Sequence, residues 1–104
     1  MIKRWVVYLA HMEVSDGQSM VKIGATSNHP RRLKELQASV PDKVTMPRII
    51  LTDHKQIAHL LERALHEELR AYHLHDEWFE DHQDVWDIFG KYEKDGLAAA
   101  SELC

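Results

Sequence analysis

The sequence has little cysteine, proline or glycine, and it contains no long apolar run. One cysteine, three prolines and four glycines occur in 104 residues. The cysteine is Cys104, which has no internal disulfide partner, as is common in a reducing compartment. No apolar stretch approaches the roughly 20 residues of a membrane-spanning helix, and residues 1–8 lack the pattern of a secretory signal. We therefore expect a cytoplasmic protein without a membrane segment.

Linkers, low-complexity tracts and internal repeats are also missing from the sequence. The apolar fraction of 44% and the charged fraction of 29% are ordinary for a globular protein. A chain of this length buries roughly 60–65% of its unfolded surface, which is enough for one modest core. We predict one domain over residues 1–95, followed by a weakly determined tail at residues 96–104.

Charge is distributed unevenly along the chain. The net charge is −4 with neutral histidines, but residues 1–52 carry +4 and residues 53–104 carry −8. The overall sign disfavours avid, non-specific binding to phosphate backbones. A basic face from the first half could still bind nucleic acid, and the eight histidines would strengthen that binding in mild acid.

The apolar pattern predicts a small α+β fold, with a three-stranded antiparallel sheet flanked by helices. Strands are expected at residues 5–10, 20–25 and 48–52. One helix is expected at residues 29–39, with Asn28 as its N-cap, and another at about residues 82–94. Between them, the longest apolar stripe runs from Ile57 to Tyr72. Its helix is expected to be N-capped by Thr52 or Asp53, with Gln56, three residues beyond Asp53, in a capping-box-like exchange.

Two further expectations concern the regions between these elements. Ser15-Asp16-Gly17 should connect the first two strands, and a turn centred on Ser15 would put Tyr8 directly opposite Lys22. A one-residue slip would put these side chains on opposite faces. Residues 73–80 should be irregular or extended, with Trp78 and Phe79 in the core.

Glu62 is a candidate metal ligand from its position on the longest helix. It lies just beyond the apolar stripe, with His66 one turn later and His59 three residues earlier. The alternative is an ordinary wet helix face, on which Glu62 pairs with Arg63, Arg70 or solvent. A zinc site is not expected, because cysteine pairs and a compact histidine triad are missing.

Several short motifs occur in an order that resembles the GIY-YIG nuclease superfamily. The first two are Trp5-Val-Val-Tyr8 and Val21-Lys-Ile-Gly24, and they are followed by Arg32 on a helix and Glu62 on a later helix. Two positions depart from the family pattern, since Val6 replaces a glycine and Lys22 replaces the second tyrosine. The nearest resemblance is to a single-domain, often phage-encoded branch, on these residues: Lys22 to Thr26, Arg32-Leu33, Glu62 with His66, and Trp78-Phe79.

The resemblance implies metal-dependent hydrolysis of phosphodiester bonds in nucleic acid, with DNA as the expected substrate. It implies Mg²⁺ or Mn²⁺ bound through Glu62. Tyr8 would orient or deprotonate the attacking water, and Lys22 would stabilise the phenolate or act as the base itself. Arg32 would neutralise the phosphate, and His66 would carry a proton to the leaving oxygen.

Substrate contacts are expected around this centre. Gly24 would let the substrate approach the backbone closely, although a glycine there could equally serve a bulge or a strand exit. Four basic residues would follow the nucleic-acid backbone, namely Arg31, Lys34, Lys43 and Arg48. A homodimer is a further hypothesis, because duplex cleavage needs two active sites.

Each of these residues also has a structural interpretation, and the function has alternatives. Tyr8 could be a core tyrosine, Lys22 a charge that protects an edge strand, Arg32 a solvated helix residue, and His66 a surface histidine. One alternative function is a catalytically inactive module of the same fold that binds nucleic acid or a protein partner. Another is an acidic interaction protein, motivated by the acidic residues between positions 76 and 95.

Overall fold

The computed structural model describes residues 4–14 and 17–96, in which an antiparallel sheet carries helices on both faces. Its five strands lie in the order β3-β1-β2-β5-β4. The strands are β1 (Trp5–Glu13), β2 (Ser19–Thr26), β3 (Val44–Thr52), β4 (His73–His75) and β5 (Trp78–Glu80). The helices are α1 (His29–Ser39), α2 (Lys55–Glu68) and α3 (Gln83–Asp95). The α+β class and the antiparallel sheet flanked by helices are therefore confirmed.

The register of the first hairpin differs from the expected one. Tyr8 pairs with Gly24, and Lys22 pairs with Ala10, so the expectation that Tyr8 lies directly opposite Lys22 is wrong. The hairpin closes through hydrogen bonds from the N–H of Val14 to the carbonyl of Gln18 and from the N–H of Gly17 to the carbonyl of Val14. Ser15 and Asp16, where the turn was expected, lie outside the described residues. Because the shift is two residues in register, Tyr8 and Lys22 still share one face of the sheet.

The sheet has five strands rather than the predicted three, and each of the three predicted strands is longer than expected. β3 begins at Val44 rather than at Arg48, although it contains Pro47. Proline is tolerated there because β3 is an edge strand, and because a bulge lies nearby between Leu9 and His11 of β1. The stretch 73–80, expected to be irregular or extended, forms the two short strands β4 and β5.

The two faces of the sheet form separate apolar clusters. One face packs against α1, with Tyr8 and Trp78 beside Leu36. The opposite face packs against α2 and α3, with Phe79 beside Leu65 and other apolar residues. The prediction that Trp78 and Phe79 belong to the core is confirmed, since their exposed fractions are 9% and 1%.

Helix termini agree with the sequence only in part. The side chain of Asn28 accepts a hydrogen bond from the backbone N–H of Arg31 at 3.1 Å, as expected of the α1 N-cap. The expected cap of α2 at Thr52 or Asp53 is wrong, because the N-cap is His54 and its side chain makes no capping bond. Thr52 instead donates its hydroxyl to the carbonyl of Trp5 at 2.7 Å.

The longest predicted helix ends before its apolar stripe does. α2 ends at Glu68, and the remaining part of its predicted stripe forms a 3₁₀ turn at Arg70–Tyr72. Most of the predicted tail, from residue 97, lies outside the described residues. Within the described ranges, no helix has the length and apolarity needed to cross a membrane.

Candidate active site

Tyr8, Gly24 and Arg32 form one contact cluster on the α1 face of the sheet. Tyr8 is 1% exposed, and the Nε–H of Arg32 donates to its hydroxyl at 3.3 Å. Gly24 lies directly across the hairpin from Tyr8. A Cβ atom at Gly24 would stand 2.6 Å from Cζ of Tyr8, closer than non-bonded atoms allow. Gly24 is thus required here by the tyrosine ring.

The ionisation of Tyr8 is disfavoured by its surroundings. Burial raises the pKa of the Tyr8 phenol above its ordinary value, and the charges of Glu77 and Glu62 raise it further. The hydrogen bond and positive charge of Arg32 act in the opposite direction without cancelling the increase. The same hydrogen bond raises the pKa of Arg32, which therefore remains a cation.

Lys22 is buried in the middle of the sheet and is held by neighbours other than Tyr8. Its residue exposure is 9%, and β2 lies between β1 and β5, so the edge-strand interpretation of Lys22 is wrong. Its ammonium lies 3.4 Å from Oε2 of Glu77 and 5.4 Å from the ring centroid of Trp78. Lys22 thus brings a positive charge to Glu77, close to the tyrosine cluster.

Helix α2 contacts the backbone of β2 where β5 stops. β5 pairs with β2 only from Met20 to Lys22, and Ile23 donates its N–H to the carbonyl of Glu77 at 3.3 Å. Beyond this point, His66 donates from Nε2 to the carbonyl of Ile23 at 2.7 Å. Glu62 accepts the backbone N–H of Ala25. Side chains of α2 therefore complete the hydrogen bonding that a longer β5 would have provided.

Glu62 is a half-buried carboxylate whose charge is destabilised. Burial raises the pKa of Glu62 above its ordinary value, and the neighbouring carboxylate of Glu77 raises it further. His66, His59 and the Ala25 amide lower the pKa of Glu62, but by less. A positive charge beside Glu62 and Glu77 would therefore be stabilised.

The donor chemistry of this pair fits a hard divalent cation. Glu62 and Glu77 supply carboxylate oxygens, the ligands that Mg²⁺ takes in small number while it keeps several waters. No group of three or more His, Cys, Asp or Glu side chains comes together as a metal site within residues 4–14 and 17–96. Glu62 and Glu77 are thus the groups that could hold the implied Mg²⁺ or Mn²⁺.

The predicted substrate-binding residues outside the cluster are dispersed. Arg31 and Lys34 are exposed on α1, and Arg31 lies 3.6 Å from the carboxylate of Glu35. Arg48 on β3 lies on a different element and forms a salt bridge with Glu93 of α3 at 2.5 Å. Arg31 and Lys34 therefore flank Arg32, whereas the charge of Arg48 is already paired.

Glu77 is the residue of this site that sequence reasoning missed. Its carboxylate pairs with Lys22 and acts on the pKa values of both Tyr8 and Glu62. It lies just before β5 in a stretch without helical or strand periodicity, so no spacing relates it to Glu62. The signal that the sequence offered was a carboxylate directly before the two core residues Trp78 and Phe79.

Comparison with known proteins gives one family. A family model described as the T5orf172 domain matches residues 6–91. No curated protein and no solved structure matches the chain. The expected membership in the GIY-YIG superfamily is therefore wrong, since the model that matches is that of the T5orf172 domain. The positions that already departed from that pattern, Val6 and Lys22, lie inside the matched range.

Proposed function

We propose that this chain, which belongs to the T5orf172 domain family, is a metal-dependent endonuclease that hydrolyses phosphodiester bonds in nucleic acid, with DNA as the expected substrate. One observation carries the proposal: Arg32 donates to the buried hydroxyl of Tyr8, while Glu62 and Glu77 act electrostatically on the same phenol. Ionisable groups with perturbed pKa values that gather around one point are typical of catalytic sites.

The raised pKa of Tyr8 decides its role in this proposal. At neutral pH the phenol keeps its proton, so it is a poor base. Its oxygen accepts from Arg32, which leaves its O–H hydrogen to donate. Tyr8 would therefore orient the attacking water, or a phosphate oxygen, rather than deprotonate the water.

Arg32 has donors left for the substrate. A guanidinium carries five N–H groups, and the contacts of Arg32 with Tyr8 and Glu35 at 3.3 Å and 3.5 Å use two of them. Its side chain is 36% exposed. Arg32 would bind the phosphate as negative charge develops on the oxygens.

Glu62 is the proposed metal ligand, with Glu77 beside it. Bound Mg²⁺ or Mn²⁺ would supply positive charge against the developing negative charge of the phosphate. Hydrolysis forms a bond between the water oxygen and phosphorus, breaks the bond from phosphorus to the leaving oxygen, and transfers a proton from the water to the leaving oxygen. Lys22 adds a positive charge near Glu77, and proton transfer through His66 remains a prediction.

The test is cleavage of a panel of DNA and RNA oligonucleotides with Mg²⁺ or Mn²⁺. We expect Glu62→Gln and Arg32→Ala each to lower the cleavage rate by about 10²-fold or more. The matched control is Glu67→Gln, because Glu67 is an exposed carboxylate of the same helix that pairs with Arg70. Cleavage that survives both substitutions, or that is equally reduced in the control, would contradict the proposal.

A second candidate function is a module that binds nucleic acid or a protein partner without cutting. The observation that favours it is the structural use of Glu62 and His66, both of which bond to the backbone of β2. In that case the protein binds nucleic acid with unchanged affinity when metal is removed, and no substrate is cut under any metal. Tyr8→Phe would then change thermal stability alone.

Two further features belong to the proposal. The low cysteine content supports a cytoplasmic location. We also propose that two chains act together on duplex DNA, because residues 4–14 and 17–96 offer one cluster of this kind. Sedimentation that shows a stable monomer on cleavable duplex would contradict the dimer.

A further inference from the structure

The exposed face of α2 carries a row of basic groups that the cluster around Tyr8 does not use. Lys55, His59 and Arg63 are exposed and four residues apart, so they lie in one line about 6 Å apart along the helix. We call these three residues the basic stripe. Together with Gln56 and Leu60 they line a surface hollow of about 420 Å³.

Trp5 holds the first part of the basic stripe in place. The ammonium of Lys55 lies 5.5 Å from the centroid of the Trp5 ring, and the ring of His59 lies 5.4 Å from the same ring. Both distances are typical of attractive contacts with an aromatic ring. Lys55 and His59 are therefore directed by Trp5 at the start of β1, so less side-chain entropy is lost when a ligand binds.

The lysine and the arginine of the basic stripe lack the carboxylate partners that other cations among the described residues have. Arg31, Arg48 and Arg70 each have a glutamate partner. In the part of the chain that the structure describes, neither Lys55 nor Arg63 forms a salt bridge. This matters because residues 53–104 carry a net charge of −8, so composition predicts an acidic surface here.

The basic stripe adjoins the proposed active site. Arg63 follows Glu62 in the sequence, and the charge of His59 acts on the pKa of Glu62. A chain of phosphates that reaches Glu62 would therefore continue over the hollow. Positive charges at regular intervals match the regularly spaced negative charges of a sugar–phosphate backbone.

We propose that the basic stripe binds the phosphates next to the cleaved bond, so that the nucleic-acid strand runs along α2. The proposal rests on the proposed function and gives the substrate its path. Contacts of this kind position a strand without reading its sequence. DNA and RNA share this phosphate chemistry, and the test distinguishes them.

The experiment measures binding of labelled DNA and RNA oligonucleotides by fluorescence anisotropy, in EDTA and from 50 to 200 mM salt. We expect Lys55→Ala/Arg63→Ala to make the plot of log K against log salt shallower by about 1.8 on duplex DNA and about 1.4 on single strands. Affinity at 50 mM salt should fall by about 10-fold or more. The double substitution Lys55→Arg/Arg63→Lys should restore both values, because it keeps the charges.

The charge-matched control is Arg70→Ala/Lys94→Ala, which removes one arginine and one lysine elsewhere. An unchanged salt slope in Lys55→Ala/Arg63→Ala would overturn the proposed role of the basic stripe. An equal loss of affinity in the control pair would overturn it too. The same holds if the natural chain binds an acidic peptide but no oligonucleotide. The two proposals fail separately. Binding that depends on the basic stripe, without any cleavage, contradicts only the proposed nuclease function. Cleavage and binding that are unchanged in Lys55→Ala/Arg63→Ala contradict only the proposed path of the strand.

Discussion

His66 donates from Nε2 to the backbone carbonyl of Ile23 at 2.7 Å, and its ring meets Phe79 edge-on at 5.1 Å. We expect His66→Phe to keep the ring contact and to leave the carbonyl without its donor. Because an unsatisfied buried acceptor is costly, the free energy of unfolding should fall by about 1–3 kcal/mol. Chemical denaturation measures this, with His75→Phe as the control, since His75 is exposed on β4. Equal stability of the two variants would contradict the anchoring role of His66.

Gly24 and Gly90 offer a matched pair of glycine substitutions. Alanine at Gly24 would overlap the Tyr8 ring, so we expect Gly24→Ala to destabilise the fold by about 1–3 kcal/mol. Alanine at Gly90, inside α3, meets only the side chain of Arg48 at 3.4 Å. Because alanine has a higher helix propensity than glycine, Gly90→Ala should raise the free energy of unfolding by up to about 1 kcal/mol. Melting temperatures that shift in the same direction in both variants would refute the close contact between residue 24 and the Tyr8 ring.

Glu62 should show opposite effects on stability and cleavage. A carboxyl whose folded pKa is raised loses stability as the pH rises from its unfolded pKa through its folded pKa. The charge of Glu62 therefore weakens the metal-free fold at pH 7. Glu62→Gln keeps an oxygen for the Ala25 N–H, so it should be at least as stable as the natural chain at pH 7.

The measurement for Glu62 is denaturation in EDTA at pH 7 and near pH 4. The stability advantage of Glu62→Gln should shrink at the lower pH, where the natural carboxyl is protonated. Glu62→Ala is the comparison variant, because it loses both the charge and the acceptor. A Gln variant that is less stable than the natural chain at pH 7 would show that the charged Glu62 stabilises the fold.

Asp81 should have the opposite pH dependence. Burial opposes its ionisation, but hydrogen bonds from Ser19, Trp86 and His11 hold the pKa of Asp81 below its ordinary value. Its stabilising contribution is therefore complete above the unfolded pKa and is lost as the pH falls through the folded pKa.

The corresponding variant is Asp81→Asn, in which one acceptor oxygen becomes a donor. Because Asp81 is an exposed residue whose charge is partly screened by solvent, we expect a loss of about 1 kcal/mol at pH 7 that diminishes below about pH 3.9. Asp87→Asn is the control, because Asp87 is exposed and accepts from Gln83 on the same helix. A pH-independent difference between Asp81→Asn and the natural chain would refute the role of the Asp81 charge.

The sequence predicted those parts of the fold that depend on local chemistry. Helix α1 has the predicted bounds because Asn28 and Pro30 mark its start and Pro41 follows its end. The hairpin register could not be predicted in this way, because Ser15-Asp16-Gly17 allows more than one centre. The first half of β3 was not predicted, because Pro47 argues against a strand unless it lies at a sheet edge. The sheet order, which the sequence does not give, shows that β3 is an edge strand.

The candidate site could also be predicted only in part, because some of its contacts depend on the tertiary structure. Tyr8, Arg32 and Glu62 were found from their order, but the need for glycine at position 24 follows from the register that brings it under Tyr8. Glu77 joins the site through the path of the chain before β5, which no periodicity indicates. Family resemblance selected Tyr8 and Arg32, which contact each other, and Glu62, which acts electrostatically on Tyr8. The superfamily that it named was nevertheless wrong.

The length of β5 has a consequence for how this site could be gained or lost. β5 has three residues, and it leaves the carbonyl of Ile23 and the N–H of Ala25 without a partner in β5. Three more paired residues at the start of β5 would reach Ala25, occupy the same two backbone groups and displace His66 and Glu62 from them. A short insertion before β5 could therefore abolish the site while every one of its side chains stays in the sequence.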